Sequence, residues 1–179
     1  ILENVRSCKS EVGVLYLDDF NREVLEKLLA DSGLEFTELF PCRTYVFLAA
    51  GHPLAGRPLI TLEDLAPYPC LSFDQGQSFY LAEEVYSTYH YRQVIKASDR
   101  ATLLNLMVGL DGYTLCSGIL CEELNGDGYR AVPLDSDKIM HIGYVKRQGC
   151  VLSPLAKIYL EELNRCNVNV LDHPAGPAR

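Results

Sequence analysis

The stretch from Arg43 to Phe73, RTYVFLAAGHPLAGRPLITLEDLAPYPCLSF, constrains the fold more than any other part of the chain. Arg43 to Ala50 is apolar and rich in aromatic and branched residues, the pattern of a well-buried strand. Gly51-His52-Pro53-Leu54 ends it with turn chemistry. Thr61 with Asp64 three residues on is a capping-box pattern and predicts a short helix over Thr61–Ala66. Pro69 to Phe73 then reads as a second buried strand. A strand, a turn, a capped helix and another strand in close succession are the units of an α/β fold.

The same alternation runs along the rest of the chain. Val12–Leu17 is a short, nearly continuous apolar run, as in a strand buried on both faces. Asp18 and Asp19 can cap a helix over Asn21–Ser32, with Val24, Leu25, Leu28 and Leu29 as its apolar stripe and Gly33 past its end. Glu35–Phe40 alternates as a strand does, and Pro41 is expected to break it. After the loop Asp74-Gln75-Gly76-Gln77 comes a helix over Ser78–Tyr89, then a strand over Arg92–Ala97. Ser98 is expected to cap a helix over Asp99–Val108 that ends at Gly109 and Gly112. Tyr113–Cys116, Tyr129–Pro133 and Met140–Val145 read as strands. Ser153-Pro154 opens a last helix to Arg165, with proline at the first helical position. This pattern predicts mainly parallel strands.

Charge and composition exclude several functions. The 179 residues carry a net charge of −8, so the chain by itself has no means of attracting a polyphosphate. No apolar stretch approaches the roughly 18 residues that span a bilayer. Seven cysteines at positions 8, 42, 70, 116, 121, 150 and 166 form no C-x-x-C and read as reduced thiols. The four histidines show no ligand-like spacing, so neither a metal nor a cofactor is expected. Leu115-Cys116-Ser117-Gly118-Ile119 is the nearest approach to a nucleophile elbow, and it has glycine at neither required position. No P-loop or dinucleotide fingerprint occurs, and the chain is not expected to be an enzyme.

Binding features are more distinct. In open α/β folds, ligands sit at the C-terminal ends of strands and the N-termini of helices. Ser72 ends one strand before Gln75-Gly76; Ser98 and Asp99 lie between a strand and a helix; Ser117 and Gly118 follow a third strand, ahead of a short helix expected at Ile119–Leu124. Each place offers a small hydroxyl beside backbone N–H groups. Ser98 as a plain helix cap, Gln75-Gly76 as an ordinary loop and Ser117 as a turn residue are the structural alternatives. Tyr16 and Asp18 are the nearest polar groups after the first strand.

His52-Pro53-Leu54-Ala55 and Ile60-Thr61-Leu62-Glu63-Asp64-Leu65-Ala66 resemble the "HPLA" turn and "ITLEDLA" helix of the effector-binding domain of LysR-type transcriptional regulators. The resemblance implies a periplasmic-binding-protein-like two-lobed α/β fold with two crossover strands, Phe47-Leu48-Ala49 and His141-Ile142-Gly143. Lobe I is then 1–48 plus 142–166 and incomplete, lobe II is 49–141, and 167–179 is a flexible tail. It implies a truncated chain or proteolytic fragment, and a cytoplasmic sensor that binds a small polar, anionic metabolite in the interlobe cleft. Ser72 and Ser98 match the positions that contact the effector in that family, and Gln75, Gly76, Asp99, Ser117 and Tyr16 complete the expected site. Self-association follows, as a dimer and as a tetramer in the full-length protein, with Asn21–Leu29 and Leu81–Tyr89 as pairing elements and Tyr80, Tyr86, Tyr89 and Tyr91 at the contact. DNA would be engaged only through a winged helix-turn-helix absent here, and no membrane is involved. A solute-binding protein of a transporter shares the fold and is the rival reading.

Overall fold

Helix α1 (Leu2–Arg6) leads into strand β1 (Gly13–Leu17), helix α2 (Arg22–Asp31), and strands β2 (Leu34–Arg43) and β3 (Tyr45–Ala49). Helix α3 (Leu62–Leu65), strands β4 (Cys70–Phe73) and β5 (Val94–Ala97), and helix α4 (Arg100–Gly109) follow. Strands β6 (Tyr113–Cys116), β7 (Tyr129–Pro133) and β8 (Ile139–Arg147) and helix α5 (Pro154–Arg165) complete the order. This computed structural model describes residues 1–74, 89, 91–119 and 126–165. The helix expected at Ser78–Tyr89 and the one at Ile119–Leu124 fall largely outside these residues, as does the tail.

The chain forms two compact units. One holds Ile1–Cys42 together with β8 and α5; the other holds β3 through β7. The first unit is built on a three-stranded sheet in the order β1-β8-β2. β1 and β8 run antiparallel, with Tyr16 opposite Ile142 and Leu15 opposite Gly143. Leu17, Leu25, Leu34, Phe40 and Val145 are fully or almost fully buried in this unit. β1 is an edge strand of the described sheet, with Leu15 and Leu17 buried on one face and Val14 and Tyr16 half-buried on the other.

The second unit is built on a five-stranded sheet in the order β5-β4-β6-β3-β7. β4 runs parallel to both β5 and β6, whereas β3 runs antiparallel to β6 and β7. The expectation of mainly parallel strands is thus corrected: β1–β8, β3–β6 and β3–β7 are antiparallel, and only β4–β5 and β4–β6 among these described pairings are parallel. Helix–strand alternation in sequence does not report direction when long loops intervene. Phe47, Leu71, Ala97, Leu103 and Met107 form a buried cluster on the α4 side, with Phe73 and Ile95 against it. Each of the larger side chains, Phe47, Leu71, Leu103 and Met107, contributes about 1.5–3 kcal/mol on burial.

Phe47-Leu48-Ala49 and His141-Ile142-Gly143 are the crossover strands that the resemblance implies. β3 instead pairs with β6 and β7 inside the second unit, and it is β2 that neighbours β8. The chain changes unit at Cys42–Arg43 and returns at Lys138–Ile139, a few residues ahead of Phe47-Leu48-Ala49 and His141-Ile142-Gly143. Pro41 does not break a strand either: β2 runs through it. β2 lies at a sheet edge, where a missing N–H can face outwards and costs no ladder bond.

Local signals set several joints. Thr61 Oγ1 accepts from Asp64 N at 3.2 Å, and Asp64 Oδ2 accepts from Thr61 N at 3.0 Å, the reciprocal box expected at α3. The Thr61 N–H and the Thr61 hydroxyl, each donating to Asp64 Oδ2 at 3.0 Å, hold the Asp64 carboxyl below its ordinary range, with Arg57 alongside. Asp18 and Asn21, both buried, exchange backbone-to-side-chain bonds of 2.8 Å ahead of α2. At the end of α4, Asp111 sits at φ 49° and Gly112 N donates to Met107 O at 3.1 Å, closing a Schellman turn. A side chain at Gly112 would meet Leu71.

Candidate ligand site

β5, β4 and β6 are adjacent in the sheet and parallel, so their C-terminal ends share one edge. Three of the expected residues gather there. Ser72 is the third residue of β4, paired with Lys96 of β5. Ser98 follows the last residue of β5, and Ser117 follows the last residue of β6. Asp74 N donates to Ala97 O at 3.0 Å, which continues the β4–β5 pairing past the strand ends. The register is set by the apolar face: Leu71 and Phe73 pack towards α4, so alternation turns Ser72 to the other face, with Cys70.

Ser72 is only 7% exposed. Its Oγ donates to Phe73 O at 3.4 Å, a long bond to its own neighbour. On the same face burial pushes the Tyr113 phenol up, and Cys70, Tyr91 and Tyr89 reinforce the effect. Tyr89 and Tyr91 meet edge to face at 5.0 Å, and the Tyr89 hydroxyl donates to Leu62 O at 3.3 Å.

Ser98 is exposed and does not cap α4. Asp99 does: its backbone is extended, and Oδ1 accepts from Thr102 N at 2.9 Å while Oδ2 accepts from the Thr102 hydroxyl at 2.8 Å. These bonds hold the Asp99 carboxyl below its ordinary range. Serine and aspartate are equally good caps, and the end of β5 at Ala97 leaves Ser98 one position too early.

Ser117 is half-buried at the start of its loop. The loop turns at Gly118, φ +76°, whose N–H donates to Cys116 Sγ at 3.3 Å. The ring of Tyr45, the β3 residue opposite Cys116, lies against Gly118 so closely that a Cβ would stand 2.5 Å from it. Tyr45 therefore shapes the Ser117 loop, a role that no spacing in the sequence signals because it depends on the antiparallel β3–β6 register. Gln75 and Gly76 lie outside the described residues. Tyr16 stands in the first unit, half-buried in β1. Among the described residues no group of His, Cys, Asp or Glu could hold a metal ion, and no helix is long and apolar enough to cross a membrane.

An α/β fold of two sheet-based units with parallel strand ends at one edge is of the periplasmic-binding-protein-like class. The chain matches the LysR substrate binding domain over residues 10–166 and belongs to that family. Among solved structures it is similar to HinK, a LysR family transcriptional regulator from Pseudomonas aeruginosa, with 17% identity and a TM-score of 0.61 over 92% of this chain and 55% of that one. It is similar to the reduced form of OxyR, with 23% identity and a TM-score of 0.55 over 92% and 73% of the two chains. The effector binding domain of QuiR in complex with shikimate gives 15% identity and a TM-score of 0.59 over 91% and 74%. The chain thus spans about half the length of HinK, 55%. No curated protein sequence matches it.

Proposed function

We propose that this chain is the ligand-sensing part of a bacterial LysR-type transcriptional regulator, and that it binds a small polar metabolite at the C-terminal edge of β5, β4 and β6. The observation that carries the reading is the adjacency of three parallel strand ends bearing Ser72, Ser98 and Ser117. Family membership supports it, and so does shikimate bound to the QuiR effector domain. In this reading the two units are the two lobes, the metabolite controls DNA binding by a winged helix-turn-helix elsewhere in the protein, and sensing domains associate with one another in the cytoplasm. In this reading the chain does no catalysis.

The test is a metabolite panel followed by calorimetric titration of the hit. Saturable binding lost in Ser72→Ala supports the reading. Undiminished binding in the Ser72→Ala, Ser98→Ala double variant removes it.

A further inference from the structure

Among the described residues the free thiols of Cys8 and Cys150 are exposed, and both lie at the same end of the β1–β8 pair. Gly13 stands opposite Val145, so the residues before Gly13 run alongside those after Val145. Two contacts hold the segments together past the strand ends. Arg147 Nη1 donates to Cys8 Sγ at 2.7 Å. Glu11 accepts from Ser153 N at 2.5 Å and from the Ser153 hydroxyl at 2.7 Å. Cys150 lies between Arg147 and Ser153 in the chain, so its turn is fastened to the Cys8 segment on either side.

Local structure sets both residues at this place. α1 closes with Lys9 N and Ser10 N donating to Asn4 O at 2.8 and 3.0 Å, and Cys8 takes φ 60°, where glycine or asparagine is usual. At the end of β8, Cys150 N donates to Arg147 O at 3.2 Å, a turn made through Gly149 at φ +72°. Lys146 Nζ donates to Cys150 O at 2.8 Å and fixes that residue. One guanidinium serves both sulfurs: Arg147 is held above its ordinary range first by the hydrogen bond to Cys8, then by the charges of Cys8 and Cys150. Exposed thiols among fixed cations are the setting of reactive cysteines, because the cation stabilises the negative sulfur that attacks.

We propose that Cys8 and Cys150 form a reversible dithiol site whose reagents are low-molecular-weight disulfides. Cys8, bonded to Arg147, attacks one sulfur of R–S–S–R. The S–S bond breaks, a mixed disulfide forms on Cys8, and the first thiolate leaves. Cys150 then attacks Cys8 Sγ and expels the second. Two electrons pass from the protein sulfurs to the reagent, and its two thiolates take up the two thiol protons. The product joins the end of α1 to the turn after β8 and frees the Arg147 guanidinium. Excess thiol runs both steps backwards. The site lies wholly in the first unit and is independent of the ligand site proposed above.

The experiment exposes the reduced chain, at high dilution, to glutathione disulfide and maps its cysteines by alkylation and mass spectrometry. Wild type should lose two thiols and yield a Cys8–Cys150 bridge within one chain, undone by excess glutathione. Cys150→Ser should stop at a glutathione adduct on Cys8. Arg147→Gln should slow the first step about tenfold, the scale of one charge-assisted bond. In urea the pairing should spread over all seven cysteines, since the native geometry selects the pair. Bridges to Cys121 or Cys166, bridges between chains, or a wild-type adduct on Cys8 that Cys150 never displaces overturn the proposal. So does a Cys8 that reacts as slowly as the buried Cys42 and Cys70, or as fast in Arg147→Gln as in wild type.

Discussion

His52, in the "HPLA" turn, is held at both ring nitrogens. Nδ1 accepts from Leu54 N at 3.0 Å, so the proton is on Nε2, which donates to Asp111 O at 3.0 Å. The ring also packs against Tyr68 at 4.4 Å. One histidine thus ties the turn after β3 to the turn after α4. Burial holds its imidazole below the ordinary value of 6.5, against a smaller opposing effect of the Asp111 carbonyl. The unfolded chain therefore binds the proton first as pH falls, and stability rises with pH in that interval. Thermal unfolding should be insensitive to this group above pH 6.5 and lose stability as pH drops from there to the lowered folded value. In His52→Asn that dependence should vanish. Asparagine can still accept from the N–H two residues on, so it should cost less than His52→Ala, which strands the buried Leu54 N–H at about 1–3 kcal/mol. Thr44, at the bend between β2 and β3, is the opposite case. It is 1% exposed, and among the described residues its buried Oγ1 has no hydrogen-bond partner. Thr44→Val removes that hydroxyl at nearly constant shape and should raise stability by about 1 kcal/mol in urea unfolding; a loss of stability would show that the oxygen is satisfied.

At the scale of elements, β2 and β8 depend on a glycine. A Cβ at Gly143 would collide with the Phe36 ring and with the backbone carbonyl of Thr37, and a backbone atom cannot swing aside as a side-chain tip can. Gly143→Ala should cost about 1–3 kcal/mol, the scale of overpacking, whereas Gly51→Ala, with open space around it, should cost far less. Equal midpoints for the two variants in denaturant would contradict the close β2–β8 approach. These elements also show what the sequence could carry. The helix ends were legible, because Thr61–Asp64, Ser153-Pro154 and Gly112 act on neighbours within a few residues. The strands Tyr113–Cys116 and Tyr129–Pro133 were legible from apolar pattern between turn residues. Strand direction and neighbours were not: nothing local to Tyr45–Ala49 says that its partners are β6 and β7 rather than β8. The serines of the candidate site could be nominated from strand ends and expected at one cleft, while Tyr45 behind Gly118 and Asp99 rather than Ser98 as the cap emerged only with the register.

For the whole molecule the deciding quantity is charge. Binding to a duplex is driven largely by release of counterions as lysine and arginine neutralise phosphates. The chain has 16 such residues against 24 aspartates and glutamates. Several of the cations are already engaged: Arg6 with Glu3, Arg22 with Glu26, Arg57 with Asp64 and Lys146 with Glu35. Displacing those carboxylates with phosphate exchanges one anion for another and leaves the surrounding negative field unchanged. Helix α5 presents Leu155, Ile158 and Tyr159 to solvent at 76%, 56% and 51% exposure, an apolar and not a basic face. The 179-residue chain alone should therefore give no change in the fluorescence anisotropy of a labelled promoter duplex at low salt. Binding that weakens steeply between about 50 and 200 mM salt would mean that the described surface hides a cationic patch the charge count does not reveal. Sedimentation of the same sample should in turn detect self-association, since apolar exposure on α5 and a net charge of −8 make like chains, at raised ionic strength, a better partner for this surface than a polyanion.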